Sequence, residues 1–451
     1  MRQREPRKGA IHYEQPPESA FPASLTLRAR SHAATVFVLL FLLYMFDYID
    51  RLVVTSLFPF MKADLGISDT QAGLLVSAVY WSIVVLAFPV SILIDRWSRK
   101  KSIALMVALW SLATGAATFI RTFPQLFITR LGVGIGEAGY SPGGTAMISA
   151  LYPAERRSRM LGIWNASIPL GSALGVALGG FVAVRWGWQR AFGLVAAPGL
   201  LVGLLFLLFA RDYRTVKLEV PQDGGAPSRK MRGAEIVQEF VRKPSLLLTY
   251  LGFAGNTFLS TAYLTWLPSY FNRYADVPMT QAGLKSASVL LFSMVGAPLG
   301  GFLVDRWMKR RGNARPLFAG LASILSAAVW LAAFGLLSGT QQYCAFMLGA
   351  VVSALYISGA CALTQDVVHP GLWALSWSLG VIVQNLLGSS LGPLAVGALS
   401  DRYGLRTAML VVPAFSAIAG ACFIAASRFY VADRQKEKGI QVELEQEPRI
   451  A

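Results

Sequence analysis

The sequence predicts an all-α membrane protein, with twelve transmembrane helices arranged as two pseudo-symmetric six-helix bundles. Three observations carry this. Of 451 residues, 55% are hydrophobic and only 14% are charged, with a mean hydropathy of +0.51; a soluble chain carries about 25% charged residues. Apolar runs long enough to cross a hydrocarbon core, for which about twenty residues suffice, recur twelve times. The two halves also repeat each other. Thr70-Gln71-Ala72-Gly73-Leu74 and Asp95-Arg96-Trp97 frame the second run, and Thr280-Gln281-Ala282-Gly283-Leu284 and Asp305-Arg306-Trp307 frame the eighth. Both matches share one register, as expected of two homologous bundles around a central site.

Taken in order, residues 1–33 are polar, basic and Pro-containing, and read as a disordered cytoplasmic tail. Residues 34–210 form the N-terminal bundle, with spans near 35–60, 70–94, 102–121, 124–151, 158–184 and 189–210. The first run follows polar residues and lacks a small-residue cleavage site, so it reads as a retained span. Residues 211–245 form the one long linker. In it Ile236, Val237, Phe240 and Val241 recur at helical spacing, which predicts an amphipathic helix on the membrane surface. The C-terminal bundle, 246–427, has spans near 246–271, 280–303, 316–337, 341–366, 371–399 and 406–427; residues 428–451 read as a second cytoplasmic tail.

The formal net charge of +17 does not point to nucleic acid, because no separate basic domain exists. Lys and Arg number six in the first tail, then four, three, eight and five in the 2–3, 4–5, 6–7 and 8–9 loops, and five in the last tail; the other side has eight in all. This positive-inside bias places both termini in the cytoplasm. Cys344, Cys361 and Cys422 lie in apolar runs, and the three histidines are scattered. No metal or cofactor is expected. The short loops suggest a bacterial inner membrane.

Charged residues inside apolar runs are the candidates for chemistry, since a charge in hydrocarbon is costly and usually functional. Span 1 reads YMFDYIDRLVV, with Asp47, Asp50 and Arg51 at mid-depth; the two acids, three apart, share a face. Span 4 carries Arg130 and Glu137, two turns apart on one face. One reading is structural: a salt bridge of Asp50 with Arg51 or Arg130, tying spans 1 and 4. The functional reading makes Asp50, Glu137 or Asp47 the proton carrier and Arg51 and Arg130 the groups that face an anionic substrate. Burial favours the neutral form of a carboxyl and a nearby guanidinium favours the charged form, so a substrate competing for an arginine couples binding to protonation. Tyr44, Tyr140, Asn165, Trp266, Gln384 and Asn385 are weaker substrate-binding candidates, with Asn256 and Trp377 behind them. The glycines of spans 5 and 11, four apart at Gly171, Gly175 and Gly179 and at Gly388 and Gly392, read as sites of close helix approach.

The segment Ser91-Ile-Leu-Ile-Asp95-Arg96-Trp-Ser98-Arg99-Lys100 resembles the signature G-x-x-x-D-R-x-G-R-R between spans 2 and 3 of the major facilitator superfamily, with Ser91 and Ser98 in place of glycines. The copy at Gly301…Asp305-Arg306 keeps the first glycine. The resemblance implies that Asp95, Arg96, Arg99, Asp305 and Arg306 latch the halves together in one state. Span 5 resembles the superfamily's antiporter motif, but Val176 stands where that motif has Pro, so it reads mostly as packing. Within the superfamily, YIDR and the run RLGVGIGEAGYSP…RRSRMLGIWNASIPLGSALG resemble the spinster family, most strongly over 44–186. That likeness implies proton-coupled transport of lysophospholipids or sphingosine-1-phosphate-like lipids, with Asp50, Arg51, Arg130 and Glu137 as functional residues. Asp47 departs from the polar amide expected at its position. The anion:cation symporters for sugar acids share the Asp-Arg and Arg-x6-Glu arrangement. A hydrophobic, lipid-open pocket favours the lipid reading, and a closed pocket with several polar groups favours the sugar acid.

The chain is thus expected to be a monomeric secondary transporter whose partners are a small anionic or amphipathic substrate, protons and the bilayer. Two other classes fit the sequence less well. An intramembrane enzyme would need a catalytic motif, and Gly134-Ile135-Gly136-Glu137 is only a loose echo of the protease-type Gly-x-Gly-Asp. A receptor would need neither buried charges in two spans nor a two-half repeat.

Overall fold

The computed structural model describes residues 23–152, 154–211, 239–368 and 372–445. The first 22 residues, most of the linker including Ile236 and Val237, and the last six lie outside them, and with them most of the tail and surface-helix expectations. Helices run nearly throughout. Nine of the described helices are long and apolar enough to cross a membrane: spans 2, 3, 5, 6, 8, 9, 10, 11 and 12. The other three, spans 1, 4 and 7, carry ionisable or polar side chains at mid-depth. Spans 1 and 4 hold the buried charges, and span 7 (Pro244–Tyr274) holds Asn256, Thr261, Thr265 and Ser269.

The helix of span 1 begins at Ala23 and that of span 12 runs to Glu445, so both continue past the limits read from hydropathy. Apolar composition marks where lipid is, whereas backbone hydrogen bonding extends a helix through polar residues as readily. In the described part of the linker Phe240 packs into a buried cluster with Leu246, Tyr250, Val367 and Tyr430, while Val241 is exposed. Phe240 therefore anchors to the second bundle.

Several spans are broken where proline deletes a backbone donor. Span 4 divides into Phe123–Glu137 and Tyr140–Leu151, with Pro142 just past the break. Span 5 divides into Ala154–Asn165 and Ser167–Trp186, ahead of Pro169. Span 12 divides before Pro413, and the Met409 carbonyl that Pro413 cannot bond accepts the Tyr263 hydroxyl at 3.2 Å. Span 11 passes through a π-helical turn, Gln384–Ser389.

The halves are built alike. Span 1 packs on spans 5 and 6 as span 7 packs on spans 11 and 12; span 2 packs on span 4 as span 8 packs on span 10. Glycines set the closest crossings. A Cβ at Gly171, Gly175 or Gly179 would lie 2.3–2.7 Å from the carbonyl oxygens of Met45, Ile49 and Val53 on span 1. A Cβ at Gly388 or Gly392 would lie 2.7 or 2.6 Å from those of Ala254 and Phe258 on span 7. The stripes read as packing do pack, in corresponding places.

The halves meet along two seams, span 2 against span 11 and span 5 against span 8. At the end away from the termini, called the far end below, one apolar core runs through both halves, from Phe58, Leu75 and Phe192 to Trp266, Phe334 and Met409. Toward the terminal end the core divides. One cluster, with Leu40, Ile148 and Phe206, belongs to the first half, and another, with Leu246, Val367 and Tyr430, to the second. The protein is thus closed at the far end and parted at the terminal end.

Candidate functional site

Spans 1 and 4 bring the five predicted charges together inside the first half, and all five are buried. Two glycines make this possible. A Cβ at Gly134 would sit 2.4 Å from the Val79 carbonyl oxygen on span 2, and one at Gly136 would sit 2.5 Å from the Trp110 nitrogen on span 3. Span 4 is therefore clamped between two backbones at the turn that delivers Glu137, and its helix ends there.

Arg51 is the centre of the cluster. Its Nη2 lies 2.8 Å from Glu137 Oε2 and 3.2 Å from Asp47 Oδ2, one turn back on its own helix. Its guanidinium also stands 4.7 Å from the centre of the Tyr48 ring and 5.5 Å from that of Tyr80, positions that favour a cation. Of the two pairings expected for Asp50, with Arg51 or with Arg130, the first is corrected: residue 51 turns toward positions 47 and 137, because side chains one turn apart meet and adjacent ones do not.

Asp50 faces Arg130 instead. Arg130 Nη1 donates to the Asp50 backbone carbonyl at 3.2 Å, and its guanidinium lies 4.9 Å from the centre of the Phe192 ring. The two Asp50 carboxylate oxygens are buried without a hydrogen-bond partner among the described residues, as are Arg130 Nε and Nη2. The site therefore holds one cation, Arg51, paired with two carboxylates through Nη2, and one acid and base pair in proximity whose bonding capacity is largely unused.

An aromatic wall flanks the charges. Tyr44 stacks on Trp164 at 4.2 Å between centroids and lies 5.5 Å from Tyr140. The Trp164 indole donates to the Leu40 carbonyl at 3.2 Å, and the Tyr140 hydroxyl donates to the same oxygen at 2.5 Å. Among the other candidates, Asn165 is exposed and bonds back to Leu161 O. Gln384 and Asn385 open the π-helical turn, where Gln384 Nε2 is buried without a partner among the described residues; such turns are frequent at functional sites. Asn256 is structural, bonded to Ser323 and Ser416. Trp266 lies apart from the charges: it is fully buried in the far-end seal, donates to Pro393 O at 3.0 Å and packs on Phe58.

Of the latch residues, Asp305 and Arg306 are exposed and Arg99 is half-buried; the side chains of Asp95 and Arg96 lie outside the described set. The bonds that join the halves gather at the other end. Asp69, at the start of span 2, receives both Arg273 nitrogens at 2.7 Å and the Ser400 hydroxyl at 2.5 Å from the second half. Asp401 accepts from the backbone N–H groups of Asp69 and Thr70 at 2.9 and 2.8 Å and from the Thr70 hydroxyl. Sequence reasoning missed this cluster. Its signal was present, since Gly397-Ala-Leu-Ser-Asp401-Arg402-Tyr-Gly404 repeats the G-x-x-x-D-R-x-G spacing at the end of span 11. It also missed Tyr48 and Tyr80.

An apolar cavity of about 160 Å³ lies in the second half between spans 7, 8, 9 and 10, lined by Tyr263, Leu264, Leu290 and Trp330 among others. Shared packing joins its wall to the surroundings of the charged cluster. Tyr48, beside Arg51, and Leu264, in the cavity wall, both rest on the buried group Leu52, Ala173, Val176, Ala287 and Leu290.

Two helical bundles built alike and parted at one end, the first holding a buried ion cluster, mark the protein as a membrane transporter and not an enzyme. The family model for the Major Facilitator Superfamily matches residues 40–393, and the chain belongs to that superfamily. It resembles the spinster branch. Protein spinster homolog 1 of Xenopus tropicalis is 27% identical over 435 residues, covering 90% of this chain and 82% of the relative. The hexuronate transporter of Bacillus subtilis (strain 168) is 26% identical over 377 residues, covering 82% and 88%. Among solved structures, a bacterial homolog of the human lysosomal transporter spinster, described as inward-facing and unoccupied, superposes with a TM-score of 0.79 at 24% identity, over 89% of this chain and 98% of that one. A D-xylose-proton symporter shares the fold more distantly, with a TM-score of 0.66 at 15% identity over 88% and 96%.

Proposed function

We propose that the protein is a proton-coupled transporter of an anionic or zwitterionic amphiphile, a lysophospholipid or sphingolipid-like molecule, working by alternating access. The observation that carries this reading is the buried cluster: Arg51 held between Asp47 and Glu137, with the Asp50 carboxylate unpartnered opposite Arg130. An anionic headgroup that takes over Arg51 strips a carboxylate of its cation. An unpaired charge in a site closed to water costs several kcal/mol, about 3–5 when a buried pair is broken, so the released carboxylate takes up a proton. Binding and protonation are thereby linked, with Asp50, Glu137 and Asp47 as the proton-accepting set and Tyr44, Tyr140 and the Gln384–Asn385 turn around the ligand.

The apolar lining of the cavity favours an amphiphile over a fully polar substrate, and Leu52, Tyr48 and Leu264 form a packed apolar path from the charges toward it. In this reading the terminal end faces the cytoplasm of a bacterial inner membrane, and the described state is open inward. The protein acts as a monomer, with Asp95, Arg96, Arg99, Asp305 and Arg306 meeting when that end closes. The bundles comprise 34–210 and 246–427. A second reading, a proton-coupled carrier of sugar acids or other organic anions, draws on the named activity of the Bacillus relative and on a cluster that would suit any carboxylate.

Proteoliposomes decide between them. Flux of a labelled lysophospholipid, but not of glucuronate, should follow an imposed pH gradient. Asp50→Asn should lose that response while still binding ligand in a thermal-shift assay. Unchanged pH-driven flux in Asp50→Asn overturns the proton role, and flux of glucuronate alone overturns the lipid one.

A further inference from the structure

A second cavity, of about 470 Å³, opens at the far end of the second half, between spans 7, 8, 10 and the start of span 12. Its chemistry differs from that of the apolar cavity. Lys285 and Arg406 line it together with Tyr270, Tyr274, Ser338 and Tyr343, and no carboxylate is among its lining residues. At the same end of the protein, Lys62 and Arg273 are neutralised by Asp69. Lys285 and Arg406 have no ion pair among the described residues. Lys285 instead lies 6.0 Å from the centre of the Phe271 ring and 5.8 Å from that of Tyr343.

The hydroxyls point the same way. Tyr270 accepts a hydrogen bond from Gln342 Nε2 at 3.0 Å, and Tyr274 accepts one from the Arg406 backbone N–H at 3.3 Å. Each phenol oxygen is thus already an acceptor and keeps its own O–H to donate. Span 10 starts at Gly339, and Ser338 before it makes no side-chain cap, so first-turn N–H groups at the cavity edge remain to be satisfied. Two cations, two phenolic donors and an uncapped helix start therefore converge on one space without an anion in its walls.

We propose that this cavity binds an anionic group, a phosphate or carboxylate, held by Lys285 and Arg406 and oriented by Tyr270 and Tyr274. The group is either the headgroup of an anionic lipid or a free anion, and both share the chemistry the cavity offers. The site is separate from the central one. Between this cavity and the apolar one stands a packed aromatic layer, in which Phe346 lies 5.7 Å from Phe271, 4.7 Å from Phe334 and 5.5 Å from Trp330 between centroids. The inference stands whatever the central site carries.

The full chain is reconstituted in nanodiscs of phosphatidylcholine, and thermal unfolding is followed in two arms. One arm titrates inorganic phosphate and the other replaces part of the lipid with phosphatidylglycerol. The parent should show a saturable rise in Tm in at least one arm, and the responding arm identifies the source of the anion. The doubly substituted variant K285Q/R406Q should lose at least tenfold in apparent affinity for that anion. Both positions are at least partly exposed, so the variant should fold. The control K309Q/R310Q removes the same charge from exposed positions between spans 8 and 9 and should respond as the parent does. A flat response in both arms, an unchanged response in K285Q/R406Q, or an equal loss in the control overturns the proposal.

Discussion

Asp69→Asn tests whether the far end is held shut by the bonds described there. The carboxylate receives two charge-assisted hydrogen bonds from Arg273, at 2.7 Å each, and one from Ser400 at 2.5 Å, all across the seam; Lys62, at 2.6 Å, belongs to the same half. Only the crossing bonds oppose opening. A hydrogen bond to a charged group contributes about 1.5–3 kcal/mol. The Arg273 side chain is 27% exposed, so screening places its share at the low end. The amide keeps one acceptor, and Asp401 still caps the start of span 2. The net loss is therefore about 1.5–2 kcal/mol, which moves the closed-to-open ratio at that end about ten- to thirty-fold. The assay is a spin-label distance measurement between Ala63→Cys and Gln341→Cys, exposed far-end positions on the two halves, with Cys344, Cys361 and Cys422 replaced by Ser. Asp69→Asn should add a longer distance that Asp276→Asn, an exposed acid at the same end, does not. A distribution superimposable on the parent's refutes the assignment of the seal to these bonds.

Two further outcomes follow from the charged site. Glu137→Gln should leave a folded protein, because Asp47 still neutralises Arg51 at 3.2 Å, yet lower pH-driven flux more than tenfold in proteoliposomes; loss of folded protein instead would make Glu137 a purely structural partner. Two glycines of the first half should respond differently to alanine in thermal unfolding. Gly134→Ala forces a Cβ to within 2.4 Å of Val79 O and should cost about 1–3 kcal/mol, whereas Gly162→Ala, in a helix with nothing within 4 Å, should be neutral or stabilise by up to about 1 kcal/mol.

Charges stand out in apolar runs, and for that reason Asp47, Asp50, Arg51, Arg130 and Glu137 were legible as a group. Who pairs with whom was not. The approach of span 4 depends on carbonyl and amide contacts at Gly134 and Gly136, which belong to spans 2 and 3 and leave no mark in the sequence of span 4 beyond two small residues. Tyr80 was invisible for a similar reason, since a tyrosine in a span is ordinary until a guanidinium is found above it. The twelve-span, two-half plan was legible because hydropathy and the repeated segments report on lipid exposure and on internal symmetry. Those signals say nothing of the state the protein adopts. Asp305 and Arg306, read as a latch, lie exposed because the terminal end is parted, while Asp69 and Asp401 look like ordinary loop-end acids until the halves are brought together.

The crossing of spans 5 and 8 has a mechanical consequence. At the far end a Cβ on Gly180 would meet the Met279 carbonyl oxygen at 2.7 Å, and one on Gly283 would meet that of Val176 at 2.9 Å, so main chain rests on main chain. Nearer the middle, Ala173, Ala287 and Leu290 come between the same helices. Bare backbone cannot yield, whereas a layer of side chains can shift rotamers. In the alternating-access reading proposed above, this glycine contact is the fulcrum, and the sweep grows with distance from it toward the opposite face.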